Sequence, residues 1–185
     1  MNNERNEKVD VAASPRVAAA PAAGTPSISG ISVLILTLNE EANLSHCLDG
    51  LRWSDDVVLL DSFSTDGTER IALERGVRFY QRRFDDFASQ RNYGLHSISY
   101  PNSWVLMLDA DETVSPELVA EMRNCIASAA PDVALFRMRR KDHLFGQWMR
   151  RCNAYPTWFG RLVRPQAVQV MRSVNEEYHT DGRVG

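Results

Sequence analysis

The chain has 185 residues, a formal net charge of −3, 44% hydrophobic and 24% charged residues, which gives room for one domain with its own core. A near-neutral balance excludes a general nucleic-acid binder, whose surface carries a strong basic excess, and leaves nucleotides open as ligands. The three cysteines, Cys47, Cys125 and Cys152, form no CxxC pair, so neither a disulfide framework nor a zinc site is indicated. A reducing, cytoplasmic setting is expected instead.

Residues 1–30 read as a disordered Ala/Pro-rich leader, because such a composition buries too little apolar surface to offset chain entropy. Order is expected from Ile31. The run Ile31–Leu38 suits a strand buried on both faces. Asn39 can cap a helix whose first turn holds Glu40 and Glu41 and whose apolar side repeats at Leu44, Cys47, Leu48 and Leu51. Val57–Leu60 is a second strand, closed by Asp61 and a Ser/Thr/Gly turn. A helix over Thr68–Arg75, stopped by Gly76, leads to a third strand, Val77–Tyr80.

A helix from Asp86 to Ile98 follows, with Phe87, Leu95 and Ile98 on its apolar side. Trp104–Leu108 is a fourth buried strand running into Asp109-Ala110-Asp111-Glu112. Ser115-Pro116 is a cap-then-proline start for a helix lined by Leu118, Met122, Cys125 and Ile126. Val133–Arg139 reads as a strand, and Leu144–Arg164 as aromatic and basic strand and loop. Alternation at this spacing predicts an α/β fold with a mostly parallel sheet flanked by helices, and the ending at Asp181-Gly-Arg-Val-Gly185 is expected to cut it short at its C-terminal end.

Ligands of such sheets bind at the carboxyl ends of the strands. Asn39-Glu40, Asp61 and Asp109/Asp111 are therefore expected on one rim. Residues i and i+2 of an extended segment point the same way, so Asp109 and Asp111 can face one divalent cation that keeps water or phosphate oxygens on its other positions. The alternative is a solvated acidic loop. Asp61 has two readings, a simple cap or an acceptor for a base N–H or a ribose hydroxyl. Gly94, mid-helix behind Gln90-Arg91-Asn92, costs about 1 kcal/mol relative to Ala and points to a close approach of backbone or ligand. Arg91 either reaches a nucleotide or lies on the surface.

As an ordered set, Thr37-Leu38-Asn39-Glu40-Glu41, Asp61-Ser-x-Ser-x-Asp66-Gly67-Thr68, Gln90-Arg91-Asn92 and Leu108-Asp109-Ala110-Asp111-Glu112 resemble the signature of glycosyltransferase family 2. The spacing is similar to the branch of bacterial lipopolysaccharide-core glucosyltransferases and exopolysaccharide enzymes. The resemblance implies a GT-A (Rossmann-like) domain over residues 31–185, with an incomplete acceptor part. It also implies inverting transfer of a hexose from a nucleotide-diphosphate sugar, a UDP-sugar, with Mg²⁺ or Mn²⁺ as cofactor. By resemblance Thr37, Asn39, Glu40 and Asp61 lie at the nucleoside, Arg91 near the base or diphosphate, Asp109 at ribose or metal, and Asp111 on the metal.

Inversion needs a carboxylate to take the acceptor proton. Trp158-Phe-Gly-Arg-Leu-Val-Arg164 with Val174-Asn175-Glu176 resembles the family's late block, and nominates Glu176 as base with Glu177 as fallback. Asn175 stands where a histidine is frequent in that branch.

From Arg137 to Arg172 there are nine basic residues and one acid, Asp142. This stretch is either a solvated basic face or a surface for anionic lipid headgroups or a phosphate-bearing acceptor. The expected partners are a nucleotide-diphosphate sugar and a glycan or lipid-linked acceptor. The expected location is the cytoplasm or the inner face of the cytoplasmic membrane. The competing readings are a non-catalytic nucleotide-sugar-binding module and a nucleotidyltransferase; the missing Gly-rich phosphate loop after the first strand counts against the latter.

Overall fold

The computed structural model describes residues 16–17, 30–145, 147–149, 156–172 and 177–185. The main sheet contains Arg16–Val17 (β1), Ile31–Thr37 (β2), Val57–Asp61 (β3), Arg78–Gln81 (β4), Trp104–Asp109 (β5) and Val133–Arg139 (β6). His143–Leu144 (β7) and Gln147–Trp148 (β8) form a small separate hairpin. Trp158–Val163 (β9) and Arg183–Val184 (β12) complete the main sheet, and Gln169–Met171 (β10) pairs antiparallel with Glu177–His179 (β11). The helices are Glu41–Asp49 (α1), Thr68–Glu74 (α2), Phe87–Ser97 (α3) and Pro116–Ser128 (α4).

The strand order is β1-β4-β3-β2-β5-β9-β6-β12. β4, β3, β2 and β5 run parallel, and β9 lies antiparallel between β5 and β6. β1, inside the expected leader, adds a two-residue antiparallel edge to β4.

The continuous apolar run of β2 follows from burial on both faces. Val33 and Ile35 pack with Leu44, Cys47 and Leu48 of α1, Ile71 of α2 and Met122 of α4. Leu34 packs on the opposite face with Ala88 and Leu95 of α3, with Val168 and with Val170 of β10. Each fully buried aliphatic side chain contributes about 1.5–3 kcal/mol, so the two layers together hold the sheet rigid beneath its rim. Among the described residues no helix is long and apolar enough to cross a membrane.

Several expectations shift. The cap of α1 is Glu40 and not Asn39, because Asn39 has a left-handed backbone (φ 56°) and turns its side chain to the neighbouring loop. α3 is capped by Asp86, whose side chain accepts from the Ser89 N–H. Its inner face is Ala88, Gln90, Arg91, Gly94 and Leu95, while Phe87 is 50% exposed and meets Phe84 edge-on. A polar pair buried on that face is why apolar periodicity misjudged its rotation. Cys47 is buried and Cys125 half-buried; Cys152 lies outside the described residues.

Gly94 answers to a close approach. A Cβ there would stand 2.5 Å from Leu34 Cδ2 of β2. Gly94→Val is expected to destabilise the fold by about 1–3 kcal/mol through overpacking. Leu34→Ala in the same chain should return part of that loss. Equilibrium urea unfolding of both variants measures it.

Candidate functional site

The carboxyl ends of β3, β2 and β5 lie side by side because these strands are adjacent and parallel. Thr37 is registered with Asp61, and Leu36 with Asp109. The expected gathering of acids on one rim therefore holds at the level of the backbone.

Its first half is a hydrogen-bond network around Asp61. The Thr37 hydroxyl donates to Asp61 Oδ1 at 2.9 Å, and the Ser64 N–H donates to Asp61 Oδ2 at 2.8 Å. The Ser64 hydroxyl also donates to Asp61 Oδ1, and Gln81 Nε2 reaches Oδ2 at 3.4 Å. Asp61 is fully buried, so both of its oxygens work inside the protein in this arrangement. Asn39 links the same two loops: its N–H donates to Ser64 Oγ, and its Oδ1 accepts from the Thr65 N–H at 2.9 Å.

Glu40 N–H donates to Thr68 Oγ1, and Glu41 N–H to Asp66 Oδ2, while Gly67 N–H returns a bond to Glu41 Oε2. Asp66 also accepts from the Thr68 N–H at the start of α2. These reciprocal bonds satisfy free N–H groups at the starts of both helices.

The second half is charged. Arg91 of α3 donates from Nη2 to Asp109 Oδ1 at 3.0 Å, and Arg161 of β9 donates from Nη2 to Asp109 Oδ2 at 2.9 Å. Arg161 Nη2 also reaches Glu112 Oε1 at 3.0 Å, and Glu112 Oε2 accepts from the Asp109 N–H. Burial works to raise the Asp109 carboxyl, but the Arg161 and Arg91 guanidiniums outweigh it and hold it down at about 2. Burial and the Asp109 charge push Glu112 upward. Arg91, with surface and ligand readings open from sequence, is buried here and faces the acid.

Asp111 departs from expectation. β5 stops at Asp109, and the Glu112 N–H closes a turn on the Asp109 carbonyl at 3.0 Å. Strand alternation therefore does not direct Asp111, which is exposed; among the described residues no hydrogen bond or ion pair engages its carboxylate. Asp109 and Asp111 accordingly differ in state, one neutralised by two arginines and one open to solvent.

A Mg²⁺ or Mn²⁺ ion keeps several waters or phosphate oxygens and needs only one or two carboxylates. Among the described residues no three His, Cys, Asp or Glu side chains gather to hold a metal. The donor set fits an ion held by Asp111 and a ligand's phosphates. The buried Cys47 thiol is pushed up to about 12 by burial and then by the charges of Glu112, Asp111, Glu40 and Asp109. Acids from the ends of β2 and β5 thus act on one point of α1.

Glu176 lies outside the described residues. Glu177, on β11, is exposed and ion-paired with Arg172 at 3.1 Å. Of the basic stretch, Arg161 is buried and Arg164 donates to the Val133 carbonyl, so neither belongs to a solvated face. Arg139, Arg140 and Lys141 instead lie over the rings of Trp158, Phe159 and Trp148 at 5.2, 5.1 and 4.9 Å. Arg161 and Glu112 carry no site role in the sequence reading, because no local spacing joins β9 to the end of β5. Phe63, left-handed (φ 65°) and 48% exposed beside Asp61, is a further residue of this rim.

Comparison with known proteins agrees with this layout. The model of Glycosyl transferase family 2 matches residues 32–179. Lipopolysaccharide core biosynthesis glycosyltransferase LpsC of Rhizobium meliloti (strain 1021) is 29% identical over 162 residues, covering 84% of this chain and 59% of LpsC. Uncharacterized glycosyltransferase RP128 of Rickettsia prowazekii (strain Madrid E) is 31% identical over 159 residues, covering 80% of this chain and 51% of its own. The chain spans little more than half the length of these two relatives. S. aureus TarS 1-349 has a similar fold, with a TM-score of 0.51 at 20% identity over 73% of this chain and 47% of TarS. Since the family match runs from Ser32 in β2 to His179 in β11, the chain belongs to glycosyl transferase family 2.

Proposed function

We propose that the protein is an inverting, metal-dependent hexosyltransferase acting on a cell-envelope glycan, a lipopolysaccharide-core or exopolysaccharide precursor, with a UDP-sugar as donor. The observation that supports this reading most is the rim itself. Three adjacent parallel strands end at Thr37, Asp61 and Asp109, and buried Arg91 faces the last of them.

Thr37, Asn39, Glu40 and Asp61 form the nucleoside side of the rim, with the buried Asp61 network keeping their two loops in register. Arg91 holds Asp109 toward the ribose and diphosphate side, and Asp111 offers its carboxylate to the cation. When bound, the divalent ion neutralises charge that grows on the departing diphosphate. Glu176 takes the proton from the acceptor hydroxyl as the new bond forms at the sugar carbon. The cationic and aromatic side chains at Arg139, Arg140, Lys141, Trp148 and Trp158 hold the protein peripherally at the anionic inner face of the cytoplasmic membrane, where charges near the surface each contribute about 1 kcal/mol.

Asp111→Ala and chelation by EDTA are each expected to cut sugar transfer by about a hundredfold or more while leaving thermal unfolding unchanged. Full turnover in either case would remove the metal from the reaction. Glu176→Gln should lower turnover by about 10²–10⁴-fold with donor affinity preserved in calorimetry, and a near-normal rate would clear Glu176. Donor binding with no transfer or hydrolysis in a Mn²⁺ donor screen would leave a binding module. The double change Arg139→Glu/Arg140→Glu should abolish salt-sensitive co-sedimentation with phosphatidylglycerol vesicles; unchanged sedimentation would separate this surface from the membrane.

A further inference from the structure

Arg161 carries a half-used donor fork at the end of β5. Both of its mapped carboxylate contacts, to Asp109 Oδ2 and Glu112 Oε1, leave from Nη2. Nη1 is buried and has no hydrogen-bond partner among the described residues, although Arg161 as a whole is only 9% exposed. An unsatisfied buried N–H of a charged group costs several times what an ordinary hydrogen bond contributes. The two terminal nitrogens of a guanidinium are covalent neighbours, so this donor stands at the same strand tip as Asp109 and Glu112.

The local charges already balance, with Arg91 and Arg161 against Asp109 and Glu112. A third carboxylate is therefore not needed to neutralise Arg161. What Nη1 lacks is an acceptor oxygen, and guanidinium groups match phosphate oxygens in both geometry and charge.

Resting on the donor-binding reading above, we propose that Arg161 is a ligand of the donor's diphosphate, its Nη2 keeping the acids at the tip of β5 in place and its Nη1 donating to a phosphate oxygen. The residue thereby couples the antiparallel strand β9 to the nucleotide rim built by the parallel strands. Arg91, on the opposite side of Asp109, holds the carboxylate from α3.

The test uses the full chain with Mn²⁺ and the nucleoside diphosphate that it binds best among UDP, GDP, CDP, ADP and dTDP. Arg161→Lys keeps the positive charge beside Asp109 and Glu112 but loses the second terminal nitrogen. It is expected to weaken diphosphate binding in calorimetry by about tenfold or more, while the corresponding nucleoside, titrated by NMR, binds within twofold of wild type. Arg161→Gln should weaken the diphosphate further, and thermal unfolding of Arg161→Lys should stay close to wild type. Unchanged diphosphate affinity in Arg161→Lys, or an equal loss for diphosphate and nucleoside, would overturn the assignment and leave donor binding intact. A wild-type chain that binds no nucleotide at all would overturn the donor reading itself, and this assignment with it.

Discussion

The site depends on a small knot of opposite charges at the end of β5. Asp109 sits between Arg91 and Arg161, and Glu112 shares Arg161 while holding the Asp109 N–H. In a poorly hydrated position each of these ions alone would be costly, and loss of one partner would strand the others. The knot joins α3, β9 and the end of β5 with its following turn, three segments separated in the chain. Because the Glu112 contact closes the turn 109–112, it also sets where exposed Asp111 is carried.

The other half of the rim is held mainly by hydrogen bonds, with one exposed ion pair between Arg70 and Glu41 at 3.4 Å. Asp61 is buried, and its two oxygens accept from Thr37, Ser64 and Gln81. Asn39 adopts a left-handed backbone, tolerated by its short polar side chain, and uses that side chain to pair with Thr65. At Gly67 a Cβ would stand 2.3 Å from Glu41 Oε1, so any larger residue there would displace the Glu41 carboxylate from its bond to the Gly67 N–H. Loops joined this way are preorganised: they are fixed to each other before any ligand arrives.

Much of this was legible in the residues. The apolar runs of β2, β3 and β5 announced strands buried on both faces, and the acids that follow them fell on one rim because parallel neighbours share a direction. Ser115-Pro116 marked the start of α4 correctly. Local pattern failed where tertiary partners decide. β9 reads as aromatic and basic, yet it enters the sheet centre between β5 and β6, where Gly160 leaves room for Leu135 and Tyr178. Strand order is not a local property, so the pairing of Arg161 with Asp109 across 52 positions had no signal. Likewise the two carboxylates of Asp109-x-Asp111 were expected to act alike, and the turn after Asp109 divides them.

Three consecutive residues of α3 show how the fold converts sequence neighbours into separate tasks. Successive helical side chains leave the axis about 100° apart, so Gln90, Arg91 and Asn92 cannot serve one partner. Gln90 donates to Ser62 Oγ in the loop after β3 and accepts from Arg82. Arg91 holds Asp109 at the end of β5. Asn92 brackets Val170 of β10, donating to its carbonyl and accepting from its N–H, both at 2.8 Å. One helix, packed against β2 through the Gly94–Leu34 contact, therefore ties the loop after β3, the charged strand tip and the paired strands β10 and β11 to a common base. Gln90 and Arg91 are buried and Asn92 half-buried because each meets a defined partner, and that is why the inner face of α3 is less apolar than helices that only pack.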